Sequence, residues 1–129
     1  MPASPQIIEW LIEELAPLGH IAARTMFGGA GVYCDGAMFG LIADDAFFLK
    51  TDEAGQPAFI AEGLGPFTYT TKRGPGQLTS YWKAPERLSD DRDELLIWAN
   101  RAVTVARAAA AKQAQKTKSA SGTRPRRSG

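Results

Sequence analysis

The sequence has one cysteine, Cys34, and one histidine, His20, among its 129 residues. A single cysteine excludes an intrachain disulfide, which is typical of a reducing compartment. One histidine and one cysteine cannot form a normal structural zinc site by themselves. Asp35, the neighbour of Cys34, does not provide the electropositive surroundings that activate a thiol. Nothing in the sequence pairs His20 with a nucleophile and an orienting group. We therefore expect no metal, no cofactor and no enzymatic activity.

Long apolar runs are missing too. No run approaches the roughly 20 apolar residues that cross a bilayer, and residues 1–5 contain no basic segment of the kind that opens a signal peptide. We expect a cytoplasmic protein with no membrane contact. Hydrophobic residues make up 44% and charged residues 22% of the chain. These ordinary globular values indicate a single folded domain with a real core.

Acidic residues are absent from residues 112–129, which contain six of the 15 basic residues and leave positions 1–111 with a net charge of −5. We predict a domain over residues 4–111 and a basic, disordered tail over 112–129, with the last helix fraying near Lys112. The tail is either a nucleic-acid-binding segment or a solubilising end. The acidic body argues against a folded domain that grips phosphate backbones.

Residues 24–50 organise the chain. They contain three apolar or aromatic runs separated by Asp35-Gly36 and Asp44-Asp45. Asp-Gly between such runs is a strong hairpin signal, because a type I′ turn needs positive φ at both central residues. Asp44-Asp45 is a weaker signal of the same kind. The pattern predicts a three-stranded antiparallel meander.

Glycines interrupt the first of these runs at Gly28, Gly29 and Gly31. Glycine weakens a strand interior, so we expect a bulge, a close approach by another backbone, or a large aromatic side chain lying across the strand. A phosphate-binding loop is the functional alternative. The segment lacks the third glycine of a dinucleotide fingerprint and the Lys-Ser/Thr of a P-loop, so nucleotide binding is disfavoured.

Helices flank the meander. Ser4-Pro5 is a helix start, with Ser4 as the N-cap, and apolar residues follow at helical spacing as far as Leu15. A short helix ending at a glycine is expected within residues 51–64. The last helix is capped by Ser89 or Asp90. We predict one core shared by the sheet and the helices, with these members among others: Leu11, Leu15, Met38, Leu41 and Leu96.

Two further strands are predicted at residues 67–71 and 78–83. Between them lies a basic, glycine-containing loop, residues 72–77, that includes Lys72 and Arg73. The loop is either an exposed hairpin connection or an anion-contacting loop that uses its charges and glycine amides. The predicted fold class is therefore α+β, with helices packed on a single antiparallel sheet in the order α-β-β-β-α-β-β-α.

Exposed aromatic residues mark candidate partner-binding positions, because desolvated aromatic side chains anchor specific interfaces. The candidates are Tyr33, Tyr81 and Trp82 on the sheet, with Trp10 on the first helix as an alternative that could instead be a core-rim residue. Tyr81 and Trp82 are adjacent in a strand and point to opposite faces, so at most one of them faces the core. We expect a protein partner, with a symmetric pair of this chain as the simplest case.

With these motifs in place, the chain resembles the N-terminal domain of the TfoX/Sxy family of bacterial competence regulators. The resemblance covers roughly residues 5–110 and rests on the segments 24–33, 36–42, 47–50, 67–69 and 81–85 and on the Trp98-containing helix. Its most specific part is the combination Met-Phe-Gly-Gly…Met-Phe-Gly. The resemblance implies the same element order, similar to secretion-chaperone-like folds.

The resemblance also implies a function. Full-length regulators of this family are two-domain proteins with a C-terminal helical domain akin to DNA-binding modules, and this chain ends where that domain would begin. We therefore expect a stand-alone, non-enzymatic regulatory or protein-interaction domain that acts in transcription regulation. The alternative is direct nucleic-acid binding through residues 72–77 and the basic tail.

Overall fold

The computed structural model describes the backbone of residues 5–26, 29–44 and 46–122, and the side chains of residues 5–25, 29–44 and 46–113. Short 3₁₀ helices follow the first helix, at Ala16–Leu18, and precede the last, at Glu86–Asp90. The main elements in chain order are α1 (Pro5–Leu15), β1 (Ile21–Met26), β2 (Gly29–Cys34), β3 (Ala37–Ala43), β4 (Ala46–Lys50), α2 (Gln56–Ala61), β5 (Pro66–Thr71), β6 (Gly74–Lys83) and α3 (Arg92–Gly122).

The strands form one antiparallel sheet in the order β1-β2-β3-β4-β6-β5. The predicted α+β class and its single helix-covered antiparallel sheet are confirmed. The predicted three-stranded meander is wrong by one strand, because the first run folds as β1 and β2. Strands β1 and β2 are antiparallel, with Met26 paired to Gly29; residues 27 and 28 lie outside the described part.

The hairpin turns follow from local backbone chemistry. Asp35 and Gly36 have φ values of 50° and 88°, as the predicted type I′ turn requires. Asp44 also has a positive φ, 52°, and Ala43 pairs with Ala46 across that turn; Asp45 lies outside the described residues. The Asp35 carboxylate accepts hydrogen bonds from the backbone N–H of His20 and from Arg107 Nη2. The β2–β3 turn is thereby tied to both β1 and α3.

The core lies between the helices and one face of the sheet. On the helical side it contains Leu11, Leu15, Phe59, Leu95, Trp98, Ala99, Val103 and Ala106, and on the sheet side Ala30, Val32, Cys34, Phe39, Ile42, Leu49 and Trp82. Leu11 and Leu15 are confirmed as core residues, and Leu96 packs against the core while partly buried. Met38 and Leu41 lie on the opposite face of the sheet, and the prediction is wrong for Met38, which is only half-buried. Leu41 is buried as predicted, at 7% exposure, but it lies outside the cluster beneath the helices.

Helix α3 differs from its prediction at both ends. Asp91, rather than Ser89 or Asp90, caps it, because the Asp91 carboxylate accepts a hydrogen bond from the backbone N–H of Glu94. At the other end the helix continues to Gly122 instead of fraying near Lys112. Alanine, lysine and glutamine are strong helix formers, which explains the continuation. Residues 123–129 of the predicted tail, and the predicted cap Ser4 of α1, lie outside the described residues.

Strands β5 and β6 form a long hairpin that extends beyond the sheet. The predicted loop at residues 72–77 is shorter in the structure, since β6 begins at Gly74 and the turn contains only Lys72 and Arg73. Strand β6 pairs with β4 through three residues, Tyr81 to Lys83. Between Gly74 and Leu78 it pairs with β5. We call this two-stranded extension, residues 67–78, the hairpin arm.

Candidate functional site

The sheet has a face on which the helices do not pack, and we call it the open face. Strand register and ring contacts place these residues on it, among others: Arg24, Tyr33, Met38, Leu41, Phe48, Lys50, Phe67, Tyr69, Tyr81 and Lys83. Among the described elements, all three helices contribute their buried residues to the core on the other side. The open face is therefore the largest surface of the sheet available to a partner.

Aromatic rings run across this face. Phe48 and Phe67 meet edge to face with ring centroids 5.1 Å apart, and Phe67 stacks on Tyr69 at 6.2 Å. Tyr69 is 40% exposed, while Phe48 and Phe67 are half-buried. Large, partly exposed rings in fixed positions are the side chains that anchor specific interfaces.

The open face also has a one-sided charge. The six described strands contain three basic residues, Arg24, Lys50 and Lys83, and none of the chain's acidic residues falls within their bounds. All three basic residues lie on the open face. Glu86, just beyond β6, forms an ion pair with Lys83 at 3.9 Å. Among the described residues, the acidic side chains thus lie outside the strands, and Asp44 lines a cleft with Phe48, Phe67 and Lys83 at the margin of the open face. The strands of the open face carry basic residues alone.

Tyr81 is a fixed part of this face. It is 8% exposed, and its hydroxyl donates a hydrogen bond to the Met38 carbonyl oxygen at 3.4 Å. Burial raises the pKa of Tyr81, and the nearby Tyr33 raises it further. Lys50 Nζ lies over the Tyr81 ring, and burial lowers the pKa of that lysine. Tyr81 is therefore a buried part of the open face and does not protrude from it as an anchor residue.

Tyr33 is the more accessible of the two tyrosines predicted as partner-binding positions. It is half-buried on β2, and the Arg24 guanidinium carbon lies 5.9 Å from the centroid of its ring. That distance is within the range of a cation–π contact. The structure thus brings Tyr33 and Tyr81 together on one face and adds a cation over each ring.

The two tryptophans predicted as partner-binding positions lie elsewhere. Trp82 is in the core, where its ring contacts Phe59 and its Nε1 donates to the Thr79 carbonyl oxygen at 2.9 Å. The expectation that Tyr81 and Trp82 occupy opposite faces is confirmed, and Trp82 does not belong to the exposed surface. Trp10 packs half-buried against the core rim and lines a cleft of about 370 Å³ with Phe47 and Leu88.

Lys72 and Arg73 are both exposed in the turn at the tip of the hairpin arm. The Arg73 backbone N–H donates to Thr71 Oγ1, and Thr71 Oγ1 donates to the Gly74 carbonyl oxygen. One amide that could have contacted an anion is therefore used to close the turn. Lys72 and Arg73 thus form an exposed hairpin connection, and an anion contact by their side chains stays a prediction.

Cys34 and His20 do not form a reactive pair in the structure. Cys34 is buried, with its Sγ 3.5 Å from the Leu18 carbonyl oxygen. Burial raises the pKa of the Cys34 thiol and Asp35 raises it further, while Arg107 opposes both effects. His20 is exposed, and its contact with Asp35 is made by its backbone N–H. The thiol is therefore held in its protonated, weakly nucleophilic form.

Metal ligands and membrane spans were expected to be absent. Within the described residues, no three His, Cys, Asp or Glu side chains converge in a geometry that could hold a metal ion. None of the described helices is both long enough and apolar enough to cross a membrane.

The sequence patterns would not have revealed the whole face. Arg24, Lys50, Lys83, Phe48, Phe67 and Tyr69 were not predicted as site residues. A signal was present in the alternation of strand side chains between the two faces of a sheet. Each of these basic residues lies at a position of its strand that points to the open face. Using that signal required the register between strands, which the sequence does not supply.

These features define a class: a small α+β domain with one six-stranded antiparallel sheet, helices on one face, and an aromatic, basic opposite face. The model of the TfoX N-terminal domain family matches residues 13–106. The match covers most of the chain, and the chain belongs to the TfoX N-terminal domain family, so it is a competence-regulator-like domain. A comparison with curated proteins gives no match.

Proposed function

We propose that this protein is a non-enzymatic regulatory domain that acts by binding a protein partner on the open face of its sheet. The observation that carries the proposal is the composition of that face, which combines partly exposed rings with Arg24, Lys50 and Lys83. Family membership supports a regulatory role, and action in transcription regulation is part of the proposal. The burial of Cys34 and the raised pKa of its thiol do not favour a nucleophilic enzyme.

The charge pattern supports a proposal for the partner's chemistry. A surface with cations above aromatic rings, and no carboxylate within its strands, complements a segment that presents apolar side chains flanked by Asp or Glu. Apolar contacts with the rings would provide most of the binding free energy, and the ion pairs would provide orientation and association rate. The partner we propose is therefore an acidic, apolar protein segment.

Charge reversal tests this assignment. Affinity isolation of the tagged protein from its native host should recover a partner that Arg24→Glu or Lys83→Glu loses. The matched control is Arg101→Glu, which makes the same charge change at an exposed position of α3. We expect the partner to be lost with the two sheet variants and to be retained with the control. Equal recovery by all three variants, each shown to be folded by circular dichroism, would contradict binding on the open face.

Nucleic-acid binding is the second candidate, favoured by the same cations together with Lys72, Arg73 and the basic residues beyond position 111. Phosphate contacts have a characteristic signature: log Kd against log salt has a slope of about 0.9 per phosphate neutralised on duplex DNA. Under our proposal, binding to duplex DNA is weak and strongly salt-dependent, and it is lost when residues 112–129 are deleted. These residues follow the last core position, Ala106, so the truncation leaves the core intact.

A further inference from the structure

The hairpin arm presents an unprotected sheet edge. Strand β5 is the last strand of the sheet and has one neighbour, β6. Along an edge strand, alternate residues direct their N–H and C=O groups away from the sheet, where they can pair with another strand. Four of the six residues of β5 are exposed and none is charged. Proteins usually protect such edges with charged residues, interior prolines or a covering helix.

The opposite edge of the sheet shows that protection. Strand β1 contains Arg24, and α1 packs against it. Beyond its first residue, Pro66, β5 has neither charge nor proline, and its first two residues are its most buried ones. The difference between the edges indicates that β5 is covered in another way.

Within the described part of the chain, Phe67 at the base of the arm contacts Phe48 of β4, and the strand pairing beyond it is between the two strands of the arm themselves. A two-stranded hairpin is marginally stable in water by itself. The arm nonetheless exposes two of the four large apolar or aromatic side chains that stand out on the described surface, Tyr69 at 40% and Leu78 at 41%. An additional strand beside β5 would satisfy its free backbone groups and cover part of this apolar surface.

We infer that β5 pairs with β5 of a second copy of this chain, so that two six-stranded sheets join antiparallel across a two-fold axis at Tyr69. This register is self-complementary: Thr68 faces the partner's Thr70, and Tyr69 faces the partner's Tyr69. Threonine pairs and aromatic pairs are favourable cross-strand neighbours. The two tips with Lys72 and Arg73 lie at opposite ends of the junction, so no like charges meet. A two-fold pairing also closes the assembly at two copies.

The junction would make the two open faces continuous. Phe67 and Tyr69 stack on the same side of β5, so the aromatic row beginning at Phe48 would pass through the two-fold axis into the second copy. This inference does not depend on the proposed function, because it concerns the edge of the sheet and not the occupant of its face.

Sedimentation velocity over the micromolar to millimolar range tests the inference, and we expect a reversible monomer–dimer equilibrium for the full chain. Thr68→Lys with Thr70→Lys places like charges opposite each other twice. It should raise the dimer dissociation constant by about tenfold, a change that two repulsive cross-strand pairs can supply. Both side chains are exposed and face the uncharged Gln77 and Pro75 on β6, so the monomer fold tolerates the change.

A matched variant makes the test specific for the register. Thr68→Lys with Thr70→Glu introduces the same number of charges but places opposite charges across the junction, so its dissociation constant should be at or below that of the wild type. A wild-type chain that is monomeric throughout the range would overturn the inference. Equal dissociation constants for the two double variants would overturn it as well, because another surface would then be joining the copies.

Discussion

The Lys50 ammonium nitrogen lies 4.8 Å from the centroid of the Tyr81 ring. Both residues sit on the open face at paired positions of β4 and β6. Burial acts on the two in opposite directions, since it lowers the pKa of the lysine and raises that of the tyrosine. Each shift favours the neutral form. A partner that brings a carboxylate to this site would restore the preference of Lys50 for its charged form.

The raised pKa of Tyr81 predicts an alkaline loss of stability. The neutral phenol is preferred in the folded state, so the contribution is complete below the pKa of the unfolded tyrosine, about 10. It decreases as the pH rises from there through the folded value. Tyr81→Phe removes both this pH-dependent contribution to stability and the hydrogen bond to the Met38 carbonyl. The free energy of unfolding of the wild type should exceed that of the variant by roughly 0.5–1.5 kcal/mol at pH 7. The difference should be smaller at pH 11.

Urea unfolding at the two pH values measures that difference. Lys50 is present in both proteins, so its own titration largely cancels in the comparison. A difference that stays constant or grows from pH 7 to pH 11 would mean that the Tyr81 hydroxyl is not buried as described.

Leu41 tests whether the open face contributes to stability. It is 7% exposed, although the described helices pack on the other face of the sheet, and its paired neighbours on the adjacent strands are Gly31 and Phe48. Leu41→Ala should cost roughly 2–5 kcal/mol in the free energy of unfolding. Ile97→Ala on α3 is the control, since Ile97 is 51% exposed and should change stability by about 0.5 kcal/mol or less. A similarly small loss at Leu41 would remove it from the packed interior.

Gly29 tests the reason for a glycine at the start of β2. A Cβ built there would collide with the carbonyl oxygen of Ile42 on β3, a backbone atom that cannot rotate away. Among the explanations open from the sequence, the close approach of another backbone is therefore confirmed. Gly29→Val should lower the melting temperature strongly. Gly65→Val is the control, because a Cβ at Gly65 has no neighbour within 4 Å; equal melting of the two variants would contradict the packing.

Much of the fold could be predicted because its signals are local. Asp35-Gly36 determines a turn by its own φ values, and the Leu11–Leu15 spacing defines the buried side of α1. The first half of β1 was missed because Ala22 and Ala23 are not typical strand formers, and its second half was merged with β2 into one predicted strand. Hydrogen-bonded pairing with β2 stabilises this segment as a strand in spite of its composition.

The site was predictable only in part, since it depends on pairing between distant strands. Alternation correctly separated Tyr81 from Trp82, but it could not say which of them faces the core. That assignment depends on the pairing of Leu49 with Trp82. The grouping of Arg24, Lys50 and Lys83 likewise depends on the register of three different strands. Because register is set by the whole sheet, no single segment encodes it.

The most direct test of the central claim is site-specific photocrosslinking in the native host. A photoreactive phenylalanine analogue at Tyr33, on the open face, is compared with the same analogue at Ile97, exposed on α3. We predict a protease-sensitive, nuclease-resistant adduct from Tyr33 and none from Ile97, with mass spectrometry identifying an acidic, apolar segment at the crosslink. A nuclease-sensitive adduct from Tyr33, or the same protein adduct from both positions, would contradict the account.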